Sequence, residues 1–414
     1  MTTIGTTAVD HPTVSGPPTY GSDRLARLIA EIGSGALARE QANERPFAVI
    51  EQLKRERLGA LRVPRAEGGG GATLRELFAV VIALAAADVN VAHILRGHFS
   101  HVEERLRLLG PDRDRAVALA LSGAIVGNAS TELGTTTVGE FTWQTRLTRA
   151  DGGLRLNGTK YFTTGTLYAD YAEVLASDPD GATVIALIPT DRPGVTVRDD
   201  WDGMGQRATG TGTAIFDDVA VEPDELLGFA PPDAGSDPPP LYLSGAFFQL
   251  YVTALEAGVL HALRDDAVAH VHQRARSFAW APTPAPADDP LLQREIGEIA
   301  AAAFAAEATV LAAADALAVA LDADVRKTDP DLDLAHEASL RAAEAKVVVD
   351  ALAQKAASQI FDVGGASVVR RAHLLDRHWR NVRTLASHNP TPYKAQAVGA
   401  YHARGARLPG SGYF

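Results

Sequence analysis

The spacing of apolar residues changes twice along this chain, and that order restricts the fold more than any other feature. From residue 22 to about 124 the spacing is helical. Thr73 and Glu76 fit a capping box, after which Leu74, Leu77, Phe78, Val81 and Ile82 share one helix face. From about residue 125 the period drops to two: Phe141, Trp143, Thr145 and Leu147 alternate with polar neighbours. Asp151-Gly152-Gly153 predicts a turn, and Leu154 and Leu156 then alternate up to a second predicted turn at Asn157-Gly158. A short apolar strand over 184–188 closes at Pro189, and Asp191, Pro193 and Gly194 predict the next turn. Five prolines within 231–240 read as a linker. The helical spacing then returns to about Gly405, interrupted by loops at 281–290 and 361–372. No internal repeat is visible. The pattern predicts an α+β chain: a flexible tail (1–20), an N-terminal helical domain (21–124), a central β domain (125–230), a linker (231–240) and a C-terminal helical bundle (241–414).

Composition narrows the function classes. With 414 residues, 46% hydrophobic, the chain can bury cores for two or three cooperating subdomains. A net charge of −12 argues against a nucleic-acid binder or a basic membrane anchor. Without cysteine there is no disulfide framework, thiolate nucleophile or cysteine metal site. Residues 1–20 lack the basic and apolar segments of a signal peptide, so the expected compartment is the cytoplasm. Residues 299–321 are about half alanine and carry Glu307 and Asp315, which predicts a packed bundle helix rather than a membrane span. The run Gly68-Gly69-Gly70-Gly71 lacks the flanking strand and Gly-Lys-Ser/Thr of a phosphate loop, and no Gly-x-Gly-x-x-Gly unit suggests a nicotinamide site.

Four motifs in order carry a resemblance from about Leu37 to the end. They are Leu61-Arg62-Val63-Pro64 with the glycine run; Leu156-Asn157-Gly158-Thr159-Lys160-Tyr161-Phe162-Thr163-Thr164-Gly165; Gly203-Met204-Gly205-Gln206-Arg207 leading to Phe216-Asp217-Asp218-Val219; and Gln359-Ile360-Phe361-Asp362-Val363-Gly364-Gly365. Together they resemble the acyl-CoA dehydrogenase superfamily. That resemblance implies an N-terminal helical domain, a central β-barrel domain and a C-terminal four-helix bundle. The stretch from Leu375 to Pro390, continuing to Tyr393-Lys394, is similar to the flavin-dependent monooxygenase subgroup typified by dibenzothiophene monooxygenase. Gly127-Asn128-Ala129-Ser130-Thr131-Glu132 and Asp199-Asp200-Trp201 match that subgroup as well.

A dehydrogenase of this fold needs a carboxylate to remove the α-proton of a thioester. The two family positions for it read Ser387-His388-Asn389-Pro390 and Phe247-Phe248-Gln249 here, and neither offers an acid. A monooxygenase needs instead a dry pocket and fixed hydrogen bonds around a C4a-hydroperoxyflavin. The resemblance implies His388 as the hydrogen-bonding or proton-transfer group over the flavin ring, Thr164 as a hydroxyl near N5 and C4a, and His98 facing the same pocket. The structural alternatives are a helix-end hydrogen bond for His388, strand propensity for Thr164, and a packing role for at least one of His93, His98 and His101. No carboxylate at ligand spacing completes these histidines, so no metal site is expected.

For the cofactor the resemblance implies Asn128, Phe162 and Trp201 at the ring, and Arg276 at the phosphate from a neighbouring subunit, with Arg274 as its rival. Lys394 is a further phosphate candidate; as a lysine near a helix C-terminus it would serve the dipole equally well. His93, Tyr242, Phe247 and Phe248 are expected in the substrate pocket, and Leu133-Gly134-Thr135-Thr136-Thr137 gives it a small, threonine-rich loop. The implied activity is two-component. Reduced FMN (FAD is possible) comes from a separate NAD(P)H:flavin reductase, and with O2 it oxygenates a small organosulfur compound or an amine. Family members assemble as homotetramers. The rival readings are an acyl-CoA dehydrogenase with a displaced acid, and a catalytically silent ligand-binding homologue.

Overall fold

The structure, a computed structural model, describes residues 16–134, 143–150, 152–227, 242–274, 276–324, 331–412 and 414. The expected tail up to residue 15, Thr135-Thr136-Thr137, Phe141, Asp151 and the 231–240 linker lie outside the described residues.

Five helices come first: α1 (Asp23–Ala42), α2 (Phe47–Glu56), α3 (Leu74–Ile94), α4 (Arg96–Leu106) and α5 (Pro111–Ser122). The capping box opens α3 in both halves: the Glu76 N–H donates to Thr73 Oγ1 at 3.2 Å, and the Thr73 N–H donates to Glu76 Oε2 at 2.7 Å. All five residues of its expected face are buried. Within α3, Asp88 is extended (φ −156°, ψ 104°) and breaks the helix. Its Oδ1 accepts from the N–H groups of Asn90 and Val91 and so caps the second half anew. Arg39 of α1 holds the same carboxylate at 2.8 Å. Beyond this break, Asn90 Oδ1 accepts the Ala208 N–H at 3.2 Å and His93 meets Gln206, both on the segment before β7.

The β domain contains β1 (Val126–Ala129), β2 (Arg146–Ala150), β3 (Gly153–Lys160), β4 (Tyr171–Ser177), β5 (Thr183–Pro189), β6 (Val195–Val197), β7 (Ala214–Val221) and β8 (Leu226–Leu227). They form one mixed sheet in the order β6-β7-β3-β2-β4-β5-β8, with β1 parallel on β4. Trp143, Thr145 and Leu147 all point inward, as the alternation predicts. Asn157-Gly158 is not a turn. It is an irregularity inside β3, where the register against β7 shifts between Leu156 and Gly158. Asn157 Oδ1 accepts the N–H of Asp218 across the sheet. Gly158 has φ +154°, and a Cβ there would stand 2.4 Å from Thr145 Oγ1, so only glycine fits.

The C-terminal part is α6 (Tyr242–Gln273), α7 (Pro290–Asp324), α8 (Leu332–Gln359), α9 (Asp376–Ala386) and α10 (Thr391–Arg404). α6, α7 and α8 pack on one another, α6 and α7 also on α3, with α9 on α6 and α8 and α10 on α8. A Cβ on Gly258 would lie 2.4 Å from that of Ala85, which is how closely α6 and α3 approach. Leu74–Ile94, Tyr242–Gln273 and Pro290–Ala323 are long and apolar enough to cross a membrane by length and composition; here they pack against each other.

Candidate active site

The end of α9 and the start of α4 meet at His388 and Arg96. Arg96 Nη1 lies 3.0 Å from His388 Nε2. A guanidinium only donates, so His388 accepts at Nε2 and its neutral ring carries the proton on Nδ1. Solvent reaches His388, although protein atoms crowd around its ring. That burial, followed by the charge of Arg96 and then His93, Lys346 and Lys394, holds its pKa well below the ordinary value. The Arg96 guanidinium also sits 5.2 Å over the ring of Phe248.

His93, one turn before Arg96, is buried, and its Nδ1 is 2.9 Å from Gln206 Oε1. Burial and then Arg96 push its pKa down to about 3, so the ring is neutral and Nδ1–H donates to the carboxamide. Gln206 itself has φ +53°, a left-handed conformation uncommon for its residue type. Asn381 of α9 holds it there, accepting the Gln206 N–H at 2.7 Å. His93 Nε2 and Gln206 Nε2 are both buried with no protein hydrogen-bond partner among the described residues.

Thr164 joins the same loop. Its Oγ1 is 2.9 Å from Thr211 Oγ1, which is 2.6 Å from Thr209 Oγ1; Thr209 donates to the Gln206 carbonyl at 2.8 Å. Beside it Phe162 adopts φ +55° and leaves its ring 47% exposed, with the indole of Trp201 edge-on at 6.1 Å. Trp201 is fixed by donating from Nε1 to the Gly205 carbonyl at 3.1 Å. Asn128 lies on β1 against Gly97 of α4, where a Cβ would come within 3.1 Å of its nitrogen. The site thus offers an open aromatic surface, buried polar atoms without protein partners and close-packed backbone. A flat heteroaromatic cofactor such as FMN fits this donor set: Phe162 and Trp201 would meet its ring system and His93 and Gln206 its polar edge.

Other expected site residues are placed elsewhere. His98 is fully buried; its Nδ1 accepts the Val126 N–H at 3.2 Å and its Nε2 abuts Gly59, where a Cβ would come within 2.2 Å. It wedges the 3₁₀ turn Leu58–Ala60 against β1, a packing role in place of the expected pocket role. Tyr242 donates to the Leu408 carbonyl at 3.1 Å, and Phe247 packs on Phe78 and Tyr251, so both belong to the bundle interior. Of that expected trio, only Phe248 reaches the His388 group. Arg274 donates to the Val363 carbonyl at 2.8 Å, whereas Arg276 is exposed on the segment after α6, beside Phe278 and Trp280. Lys394 is 1% exposed with Nζ 3.6 Å from the Phe414 ring centre, which leaves no access for a phosphate. It also lies near the start of α10, so the expected service to a helix C-terminus does not apply.

The sequence reading passed over Arg96, Gln206 and a buried charged group in the bundle. Gln206 stands inside the Gly203–Arg207 motif, and Arg96 lies between His93 and His98 in the chain. In the bundle, Lys346 and Asp350 of α8 pair at 3.0 Å, and the Thr391 hydroxyl donates to Asp350. Glu256 of α6 is fully buried beside them, and burial, then Asp350, raises its pKa well above the carboxylate range. A shallow recess beside α1 is lined by Arg39, Asn43, Asp88, Asn90 and Arg207 and by none of the site residues above. Among the described residues no group of three or more potential metal ligands is found.

Comparison with known proteins gives the family. The acyl-CoA dehydrogenase middle domain matches residues 128–219, and the acyl-CoA dehydrogenase C-terminal domain matches 250–392. Dibenzothiophene monooxygenase of Rhodococcus erythropolis is 32% identical over 92% of this chain and 93% of its own. A probable FMNH2-dependent monooxygenase of Pseudomonas putida is 28% identical over 94% and 96%. The FMN-bound crystal structure of TdsC from Paenibacillus sp. A11-2 superposes with a TM-score of 0.84, at 28% identity, covering 95% of this chain and 99% of that one. The chain therefore belongs to the acyl-CoA dehydrogenase superfamily, in the monooxygenase subgroup that contains dibenzothiophene monooxygenase.

Proposed function

We propose that this protein is the oxygenase half of a two-component flavin-dependent monooxygenase. It takes reduced FMN and O2 and oxygenates a small organosulfur or amine substrate whose lone pair attacks an electrophilic oxygen. The observation that carries this reading is the neutral, donor-bearing His388 near buried polar atoms of His93 and Gln206 that have no protein partner among the described residues. Two relatives bear names that point to reduced flavin and to a sulfur heterocycle. Bound flavin would supply the oxygen chemistry through a C4a-hydroperoxide. The chain's own contribution is to orient, to exclude water and to hold protons: His388 donates from Nδ1, His93 and Thr164 offer lone pairs, and Phe162 and Trp201 cover the ring. A separate NAD(P)H:flavin reductase, a homotetrameric assembly that supplies Arg276 to a neighbour's phosphate, and a cytoplasmic setting complete the proposal.

The test is stopped-flow absorbance after mixing the anaerobic protein and reduced FMN with oxygenated buffer. A long-lived intermediate, lost in His388→Ala together with roughly 10²–10⁴-fold of substrate turnover, is the expected result. Reoxidation at the rate of free flavin would overturn it. A second reading rests on Glu256, a buried carboxyl on the helix that carries one family position for the dehydrogenase acid. Reduction of bound flavin by an acyl-CoA, with no reductase present, would favour that reading.

A further inference from the structure

The three threonines near Gln206 have their protons assigned by elimination. The Gln206 carbonyl can only accept, so the single proton of Thr209 Oγ1 is committed to it at 2.8 Å. Thr209 must then accept from Thr211 at 2.6 Å, which uses the proton of Thr211. Thr211 in turn accepts from Thr164 at 2.9 Å. The Thr164 proton therefore points inward, and only lone pairs remain for whatever binds in front of it. Exposures of 6% for Thr164, 9% for Thr211, and 0% for Thr209 leave bulk water little chance to reverse this order. The anchor is fixed as well: Asn381 holds the Gln206 N–H, and the Gly165 N–H donates to the Thr209 carbonyl at 3.0 Å. The Gln206 side chain does the same for His93, taking Nδ1–H and leaving a lone pair on Nε2.

We propose that Thr209 and Thr211 are positioning residues that make Thr164 an obligate acceptor, and that the site thereby selects reduced over oxidised flavin. This rests on the flavin reading above. Reduced flavin carries N–H at N5, whereas the oxidised ring has a lone pair there. A fixed acceptor welcomes the first and repels the second.

The test is the ratio of dissociation constants for oxidised and reduced FMN, titrated anaerobically into the full-length protein. The wild type should bind the reduced form more tightly. In Thr209→Val the proton of Thr211 is freed to turn toward Thr164, which can then donate outward. The preference should fall about tenfold, which lowers the two-electron potential of bound flavin by about 30 mV. Thr209→Ser should restore it. Thr211→Val, which removes the inward acceptor of Thr164, should move the ratio the same way and serves if Thr209→Val does not fold. An unchanged ratio in a variant that still binds flavin overturns the proton assignment. Failure of the wild type to bind flavin in either redox state overturns the functional reading and this inference with it.

Discussion

Arg96 donates to Nε2 of His388 at 3.0 Å, joining the first turn of α4 to the end of α9 across 292 residues of sequence. The contact fixes the imidazole tautomer, and the charge of Arg96 opposes protonation of the ring. Arg96→Gln removes the charge and keeps a donor. The His388 pKa, held down by burial and then by Arg96, should then rise, moving the acid limb of the pH–rate profile to higher pH and leaving the alkaline limb in place. Steady-state turnover of substrate between pH 5 and 9, with a reductase in excess, measures it. An unmoved acid limb would mean that Arg96 does not control this proton.

Lys394 is buried near Lys346, and burial pulls its pKa to about 7. In the unfolded chain a lysine titrates near 10.4. Between about pH 7 and 10 the unfolded state thus holds the extra proton, and stability rises with pH. Lys394→Met should flatten that rise and stabilise the protein at pH 7 by about 1 kcal/mol or more, since a costly buried amine is replaced by an apolar side chain of similar length. Urea unfolding at pH 7 and 9 reads both effects. A residual slope from Lys160, pulled to about 8 by burial, should survive the substitution.

Glu256 tests the opposite sign. Its raised pKa means the folded state keeps a proton that the unfolded carboxyl loses near pH 4.3. Stability associated with it is full below that pH and declines as pH rises toward the folded value. Glu256→Gln, neutral and nearly the same shape, should remove the decline and change stability at pH 5 by less than about 1 kcal/mol. Calorimetric melting from pH 5 to 8 gives the comparison. If the variant is instead several kcal/mol less stable throughout, Glu256 is ionised and paired in the wild type.

Much of the fold was legible because the two apolar periods are distinct. The capping box of Thr73 and Glu76 and the inward row Trp143, Thr145, Leu147 appear as read. Asn157-Gly158 misled because a glycine needed for close approach to Thr145 looks, in sequence, like one needed for a hairpin. His93, Thr164 and His388 stand in recognisable motifs, and Gln206 and Arg96 contact His93 and His388 respectively. These partners could not be picked out, since the contact of Gln206 with His93 spans 113 residues and depends on the left-handed backbone of Gln206. The sequence could not separate Tyr242 and Phe247 from Phe248, because α6 is apolar on nearly every side and no stripe says which face meets which neighbour.

His98 provides a last test that is independent of catalysis. Its pKa is lowered to about 4, chiefly by burial, while an unfolded histidine titrates near 6.5. Between those values the unfolded state binds a proton that the folded state refuses, so stability is lost as pH falls from about 6.5 toward 4. One such group contributes a slope of about 1.4 kcal/mol per pH unit. In His98→Asn the carboxamide oxygen can take the place of Nδ1 and accept the Val126 N–H. The variant should be less stable at pH 7, because the smaller side chain leaves a gap beside Gly59. Its stability should nevertheless fall less steeply on acidification than the wild type's. Denaturant unfolding at pH 7, 6 and 5 resolves the two slopes; parallel slopes would show that His98 is already protonated in the folded protein.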